Sequence, residues 1–153
     1  MDECLLSIRK ILVALDGSNP SFNASTYAID FAKRYDAELI VLSIVSPIPY
    51  SQFEYANIGR MKEIETIERE KSEQYIDKVK QKAIENKVTV KTEVLVKYTS
   101  VVKEIVEYAE NNKVDMIVIG SRGMAGFKKL LLGSVANGVV TYSHCPVLVV
   151  KWP

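Results

Sequence analysis

Short aliphatic runs alternate with amphipathic segments along the whole sequence, and this alternation restricts the possible fold more than any other feature. Four of the runs are almost continuously aliphatic: Ile11–Leu15, Glu38–Val45, Val114–Ile119 and Val147–Val150. Strands that are buried on both faces, as in parallel sheets, have this composition. A fifth run, Val88–Val96, places valine or threonine at every second position, which is typical of a half-buried strand at a sheet edge.

Four segments with helical periodicity separate these runs. The first has Ser18 or Asn19 as its cap and Pro20 in its first turn, the second spans about 57–85, and the third spans about 100–111. The fourth begins near Ser134. The apolar positions expected to be buried on the first and last helices are Ala24, Tyr27, Ala28, Phe31, Ala32, Val135, Ala136, Val139 and Val140. The order βαβαβαβαβ predicts an α/β fold, a three-layer sandwich with a five-stranded parallel sheet and helices on both faces.

The overall composition limits the size and charge of the protein but indicates no specific chemistry. The 153 residues fit one domain, 1–153, and 20 basic against 19 acidic residues leave a net charge of +1. No strong global charge therefore favours nucleic acid or a membrane surface. The start, "MDECLLSIRK", does not resemble a secretion signal, and two cysteines, Cys4 and Cys145, do not make a disulfide framework, so we expect a cytoplasmic protein.

Two unusual local sequences follow strands that we expect to be neighbours. In open parallel sheets, ligands bind beyond the carboxyl ends of the strands, where the strand order reverses. Asp16-Gly17-Ser18 follows the first strand, and "GSRGMAGFKKLLLGSV" (120–135) follows the fourth. Gly133 and Ser134 stand at the start of the last helix, where free amides and a partial positive charge favour phosphate.

The glycines alone leave two interpretations open, a structural turn and an anion site. The sequence has no G-x-x-x-x-G-K-[ST] and therefore no P-loop of that type. Gly120, Gly123 and Gly126 form G-x-x-G-x-x-G after the fourth strand, which is not a dinucleotide fingerprint. His144 beside Cys145 lacks the further ligands that a zinc site needs.

Two segments together resemble the universal stress proteins. These are "ILVALDGS" and "VDMIVIGSRGMAGFKKLLLGSVANGVVTYSHCPVLVVK", and within the second, the spacing G-2x-G-9x-G-S matches the G-2x-G-9x-G-[ST] pattern of the ATP-binding subgroup. The resemblance covers nearly the whole chain but is weak between about 46 and 97. It implies an adenine nucleotide alpha hydrolase-like fold with strand order 3-2-1-4-5, and a homodimer paired through Val147–Val150. It also implies bound ATP, alone or with Mg²⁺ or Mn²⁺.

The same resemblance implies a set of nucleotide-binding residues. The segments 120–123 and 133–136 are expected around the ribose and phosphates, and Asp16 against the nucleoside or, through a divalent ion, the phosphates. Ala14 and the main chain at Ile44 are expected to border the adenine. The full set is Ala14, Asp16, Ile44, Ile119, Gly120, Ser121, Arg122, Gly123, Gly133, Ser134, Val135 and Ala136.

The sequence departs from the family at two places. "KYTSVV" (97–102) stands where relatives often carry Gly-x-Pro, which leaves Thr99 or Ser100 to cap the third helix. Ala136 stands where some relatives have a hydroxyl residue, so Ser134 alone can offer a hydroxyl to phosphate.

Several roles remain open at the level of sequence. Asp16 can be a structural cap instead of a ligand, and Arg122 can lie in solvent or in a salt bridge instead of on phosphate. Tyr50, Phe53 and Tyr55 can cover the base or pack as a surface loop, and Trp152 can cover the sheet edge or a dimer contact. The sequence favours a nucleotide-dependent regulatory protein; the alternatives are a slow ATPase or nucleotidyl-transfer enzyme, for which no acid–base pair is visible, and a nucleotide-free scaffold.

Overall fold

The computed structural model describes residues 5–47, 58–122 and 132–153. These residues form one parallel sheet in the order β3-β2-β1-β4-β5, with four helices, which confirms the α/β sandwich and its strand order. The strands are β1 (Lys10–Ala14), β2 (Glu38–Val45), β3 (Val90–Val96), β4 (Met116–Gly120) and β5 (Val147–Val150). The helices are α1 (Asn19–Tyr35), α2 (Ile58–Glu85), α3 (Val101–Asn111) and α4 (Ser134–Tyr142).

Two hydrophobic layers hold the helices against the sheet. Along β1, Ile11 and Val13 face one layer and Leu12 faces the other, and all three side chains are fully buried. The first layer packs under α1 and α2, and the second packs under α3 and α4. Burial on both faces explains why β1, β2 and β4 consist almost entirely of aliphatic residues.

The chain reverses its strand order beside β1. This strand pairs with β2 through Ala14 and Leu42 and with β4 through Val13 and Val118. The loops that leave β1 and β4 therefore emerge side by side at the carboxyl edge of the sheet, where open α/β sheets bind their ligands. The strands β3 and β5 form the two edges.

Serine side chains cap two of the helices, as the sequence predicts. The amide of Ser21 donates to Ser18 Oγ at the start of α1, at 3.3 Å, with Pro20 in the first turn. The amide of Lys103 donates to Ser100 Oγ at the start of α3, at 3.4 Å. A side-chain oxygen thus satisfies one of the free amides that begin each helix.

Strand boundaries differ from the predictions where helices end in tight turns. The sequence predicts that β4 begins at Val114 and β3 at Val88, but the two strands begin two residues later, at Met116 and Val90. The amide of Val114 donates to the Ala109 carbonyl, and that of Val88 to the Ala83 carbonyl, so both residues close the preceding helices. The first strand also lies one residue earlier than predicted, at Lys10–Ala14.

Two residues that we expected on buried helix faces are exposed. Tyr27 of α1 is 49% exposed, and Val140 of α4 is 45% exposed. Small polar residues take part in the buried face of α1 instead, since Ser21 and Ser25 are almost inaccessible. Within the described residues, no helix has the length and apolarity needed to cross a membrane; α2, at 28 residues, is the longest and is rich in charge.

Candidate functional site

Five of the predicted site residues come together on one side of the sheet. Ile119 and Ala136 are buried in the layer under α3 and α4, and Ala14, Ile44 and Val135 are half-buried against the same layer. They come from three strands and one helix, at or near the carboxyl ends of the strands. Of these five residues, the half-buried Ala14 and Ile44 are the two that the resemblance implies beside the adenine.

The turn after β1 is closed by its own side chains. Asp16 is exposed, and its Oδ1 accepts hydrogen bonds from the Ser18 amide at 2.9 Å and the Ser18 hydroxyl at 2.5 Å. The Ser21 hydroxyl donates to the Ser18 carbonyl at 2.8 Å. These contacts agree with the structural interpretation of Asp16, in which its carboxylate orders the start of α1.

Tyr75 of α2 packs against this turn at Gly17, a contact that the sequence did not indicate. Gly17 has a φ of 84°, a left-handed conformation that side chains rarely adopt, and a Cβ there would lie 2.3 Å from Tyr75 Cε2. The Tyr75 ring also meets Phe22 edge to face, with 6.0 Å between ring centroids. The one sequence signal for Tyr75 is its place beside Ile76 and one turn before Val79 on the apolar side of α2.

The end of β4 is anchored by main-chain contacts. Gly120 is buried, and a Cβ there would lie 3.0 Å from the Pro20 carbonyl oxygen, so glycine permits the close approach of β4 to α1. Ser121 follows and is also buried, and its carbonyl accepts from the Gly133 amide at 2.7 Å. Arg122 is partly exposed, and Gly123 lies outside the described residues.

The Ser121 side chain points to the C-terminal segment. Its Oγ accepts a hydrogen bond from the Trp152 amide at 3.2 Å. The amide of Ser121 donates to the Val150 carbonyl at 2.9 Å, one residue past the end of β4. Neither Val150 nor Trp152 was among the predicted site residues, and no local sequence pattern connects Ser121 with positions 29 and 31 residues away.

The start of α4 lacks the cap that α1 and α3 have. Gly133 occupies the N-cap position, with no side-chain cap, and the exposed Ser134 is the first helical residue. The Gly133 carbonyl accepts from the Asn137 amide at 2.9 Å, which begins the helical hydrogen bonding. Uncapped amides at a helix N-terminus carry a partial positive charge and form a suitable site for an anion.

The family model described as the universal stress protein family matches residues 7–151. The chain belongs to the universal stress protein family. Universal stress protein MJ0531 of Methanocaldococcus jannaschii is 39% identical over 145 residues, which cover 95% of this chain and 83% of the relative. Among solved structures, universal stress protein UspA from Lactobacillus plantarum superimposes with a TM-score of 0.87 at 25% identity, over 95% of this chain and 99% of the other. The protein MJ0577 gives a TM-score of 0.85 at 28% identity, over 97% and 99%.

Three more distant universal stress protein structures contain an adenine nucleotide. One is in complex with cAMP, one from Archaeoglobus fulgidus is in complex with dAMP, and one from Arabidopsis thaliana has AMP bound. They share 18 to 23% identity with this chain and give TM-scores of 0.68 to 0.71. Each alignment covers 95% of this chain and 92 to 100% of the other. At this identity the likeness shows a shared fold.

Proposed function

We propose that this universal stress protein binds ATP in the crevice between the ends of β1 and β4. In this proposal it acts as a homodimeric regulatory protein with little or no catalytic turnover. The observation that carries the proposal is the start of α4, where Gly133 leaves the first amides without a side-chain cap beside the end of β4. Phosphate is the anion that such an N-terminus binds in many nucleotide sites.

In this proposal, different groups of described residues bind the base and the phosphates. The half-buried Ala14 and Ile44 supply an apolar surface for the base, and Ile119 packs in the core beneath them. The amides of the first turn of α4 and the Ser134 hydroxyl supply donors for the phosphates. The complete G-2x-G-9x-G-S spacing favours a triphosphate, and the cAMP, dAMP and AMP complexes of distant family members support an adenine nucleotide.

A divalent ion fits this site through Asp16. Mg²⁺ commonly binds through one or two carboxylates together with substrate phosphates and water, rather than in an all-protein cage. Asp16 supplies one exposed carboxylate at the end of β1. When bound, the ion would neutralise phosphate charge, while Asp16 would hold it and the α4 amides would bind the phosphate oxygens.

The site favours binding over turnover. Phosphoryl transfer needs a group that orients the nucleophile in addition to groups that neutralise charge. Among the described members of the predicted site, Asp16 is the sole carboxylate, and its Oδ1 is already engaged by the Ser18 amide and hydroxyl. No acid–base pair is therefore available among these residues, which supports the regulatory proposal over the slow ATPase or transferase.

The dimer proposal concerns the exposed edge of the sheet. In β5, Val147, Leu148 and Val149 are only half-buried, although all three are aliphatic. An unpaired aliphatic edge promotes aggregation, and pairing with a second copy covers it. Light scattering after size exclusion should give a mass of twice 17.2 kDa. A mass of 17.2 kDa at micromolar concentration would contradict the dimer.

Two measurements test the nucleotide proposal. Protein purified under native conditions is denatured, and the small molecules that it releases are identified by mass spectrometry. The stripped protein is then titrated calorimetrically with MgATP, ADP, AMP, cAMP and adenosine. We expect ATP to co-purify and to bind more tightly than adenosine, because only the nucleotides engage the α4 amides.

The alternatives give different results in the same experiments. Stoichiometric release of ADP and phosphate, with continuing turnover of added MgATP, would support the enzyme. Absence of any bound nucleotide, together with no heat from any of the five ligands, would favour the nucleotide-free scaffold and overturn the proposal.

A further inference from the structure

Ser121 connects three segments that are distant in sequence. Its amide donates to the Val150 carbonyl at 2.9 Å, its carbonyl accepts from the Gly133 amide at 2.7 Å, and its Oγ accepts from the Trp152 amide at 3.2 Å. The residue is only 3% exposed. One buried residue therefore links the end of β4 with the start of α4 and the segment after β5.

The bond to Gly133 closes the base of the loop that carries the family pattern. The loop leaves β4 at Ser121 and returns to α4 at Gly133, so this bond fixes where the first amides of α4 stand relative to the sheet. The position of Ser121 itself depends on two further bonds, one to Val150 at the end of β5 and one to Trp152, two residues after it. Loss of either bond would leave a buried polar group without its partner, which is unfavourable.

The Ser121 hydroxyl is engaged in this link. Because Ser121 is almost inaccessible and its Oγ accepts from the Trp152 amide, its side chain has a structural partner at the C-terminal end. This placement differs from a role in direct contact with ribose or phosphate.

We propose that Ser121 and the C-terminal segment Val150–Trp152 are positioning elements of the nucleotide site. They hold the base of the loop so that the first amides of α4 are correctly placed for phosphate. The inference deepens the proposed function and rests on it for the effect on affinity, but the link itself exists in the ligand-free protein and can be measured there.

The amide and the ring of Trp152 can be tested separately. Trp152 lines a surface groove of about 460 Å³ together with Phe22 and Val79, and its amide binds Ser121. Trp152→Pro removes the amide donor, and Trp152→Phe keeps it with an aromatic ring in place. Ser121→Ala removes the acceptor. Ser25→Ala is the matched serine control, since Ser25 is equally buried but donates to the Phe22 carbonyl within α1.

The first measurement is hydrogen exchange of the ligand-free protein at neutral pH. We expect Ser121→Ala and Trp152→Pro to raise the exchange rate of the Gly133 amide about three- to tenfold, the effect of losing one hydrogen bond. Trp152→Phe and Ser25→Ala should leave that rate near wild type. A Gly133 rate unchanged in both Ser121→Ala and Trp152→Pro would overturn the link whether or not nucleotide binds.

The second measurement is calorimetric titration with MgATP. We expect Ser121→Ala and Trp152→Pro to weaken binding about three- to tenfold, while both controls bind like wild type. Wild-type affinity in Ser121→Ala and Trp152→Pro, or an equal loss in Trp152→Phe and Trp152→Pro, would contradict positioning through the amide. If wild type itself binds no nucleotide, the proposed function fails, and hydrogen exchange still decides whether the link exists.

Discussion

The starts of α1 and α4 lie next to the ends of neighbouring strands, yet α1 has a side-chain cap on its free amides and α4 has none. At α1, Ser18 Oγ accepts from the Ser21 amide, and Asp16 accepts from Ser18. At α4, Gly133 supplies no side chain at the same position. Both helices follow strands at the point where the sheet order reverses, so topology alone would make either of them a ligand site.

We propose that the cap, in addition to the topology, determines which of these helix starts receives an anion. A side-chain oxygen at the N-cap position accepts from one of the amides that a phosphate could otherwise use, and it occupies the space next to the others. Ser100 closes α3 in the same manner as Ser18 closes α1. Among the three helix starts with a described N-cap, that of α4 is the one without a side-chain cap, and it is the phosphate site in the proposed function.

The largest effect should come from closing the start of α4. Gly133→Asp places a carboxylate at the N-cap, where aspartate is a favoured cap, so the ligand-free protein should become slightly more stable. The same carboxylate would lie near the phosphates, and we expect MgATP affinity to fall about hundredfold or more. Thermal unfolding without ligand and calorimetric titration with MgATP measure the two effects.

Gly133→Asn is the matched control because asparagine caps helices as well as aspartate but carries no charge. We expect its affinity loss to be about tenfold, from competition for the amides alone. Equal and unimpaired MgATP binding by Gly133→Asp and Gly133→Asn would show that the α4 amides do not contact phosphate.

The next effect concerns the turn that closes α1. Gly17→Ala introduces a Cβ at a φ of 84° and against the Tyr75 ring, so it should lower the free energy of unfolding by about 2 kcal/mol. Urea denaturation measures the change. In a Tyr75→Ala background the steric part should disappear, so the same substitution should cost less there. Equal costs in both backgrounds would indicate that Tyr75 does not press on Gly17.

Removal of a cap that is present should affect stability and leave binding nearly intact. Ser18→Ala deletes the oxygen that accepts from the Ser21 amide, and we expect a loss of about 1 kcal/mol in unfolding free energy. The loss of MgATP affinity should be at least tenfold smaller than the loss caused by Gly133→Asp. A loss of nucleotide binding as large as that of Gly133→Asp would place the phosphates at α1 and reverse the comparison.

The smallest effect should come from Ser134→Ala. Ser134 is exposed at the first position of α4, so its hydroxyl can reach a phosphate but supports no described internal contact of the protein. We expect MgATP binding to weaken about two- to threefold with little change in thermal unfolding. Comparison with adenosine gives the control, because adenosine lacks phosphates and should bind both proteins equally.

The sequence predicts the parallel sheet and the caps because these depend on local patterns, whereas the strand order follows from the resemblance to the universal stress proteins. Aliphatic runs indicate buried strands, Ser18 and Ser100 precede apolar helical periodicity, and Gly133-Ser134 stands where α4 begins. The errors have local physical causes as well. Val114 and Val88 look like strand residues but close the preceding helices with backbone hydrogen bonds.

Contacts between distant positions were not predictable from those patterns. Tyr75 covers Gly17 because α2 packs beside α1, and Trp152 bonds Ser121 because β5 lies next to β4. Ser121 lies within the glycine pattern of the family, yet its hydroxyl is directed to the C-terminal segment. The roles suggested for Gly123 and for Tyr50, Phe53 and Tyr55 concern positions outside the described residues and stay predictions.

The most direct test of the contrast follows backbone amides by NMR while ¹⁵N-labelled protein is titrated with MgATP and, separately, with adenosine. We predict large shift changes at Ser134, Val135 and Ala136 with MgATP, much smaller ones with adenosine, and little change at the Ser21 amide in either titration. Saturable MgATP binding that leaves the three α4 amides unshifted, or that shifts the Ser21 amide instead, would contradict the account.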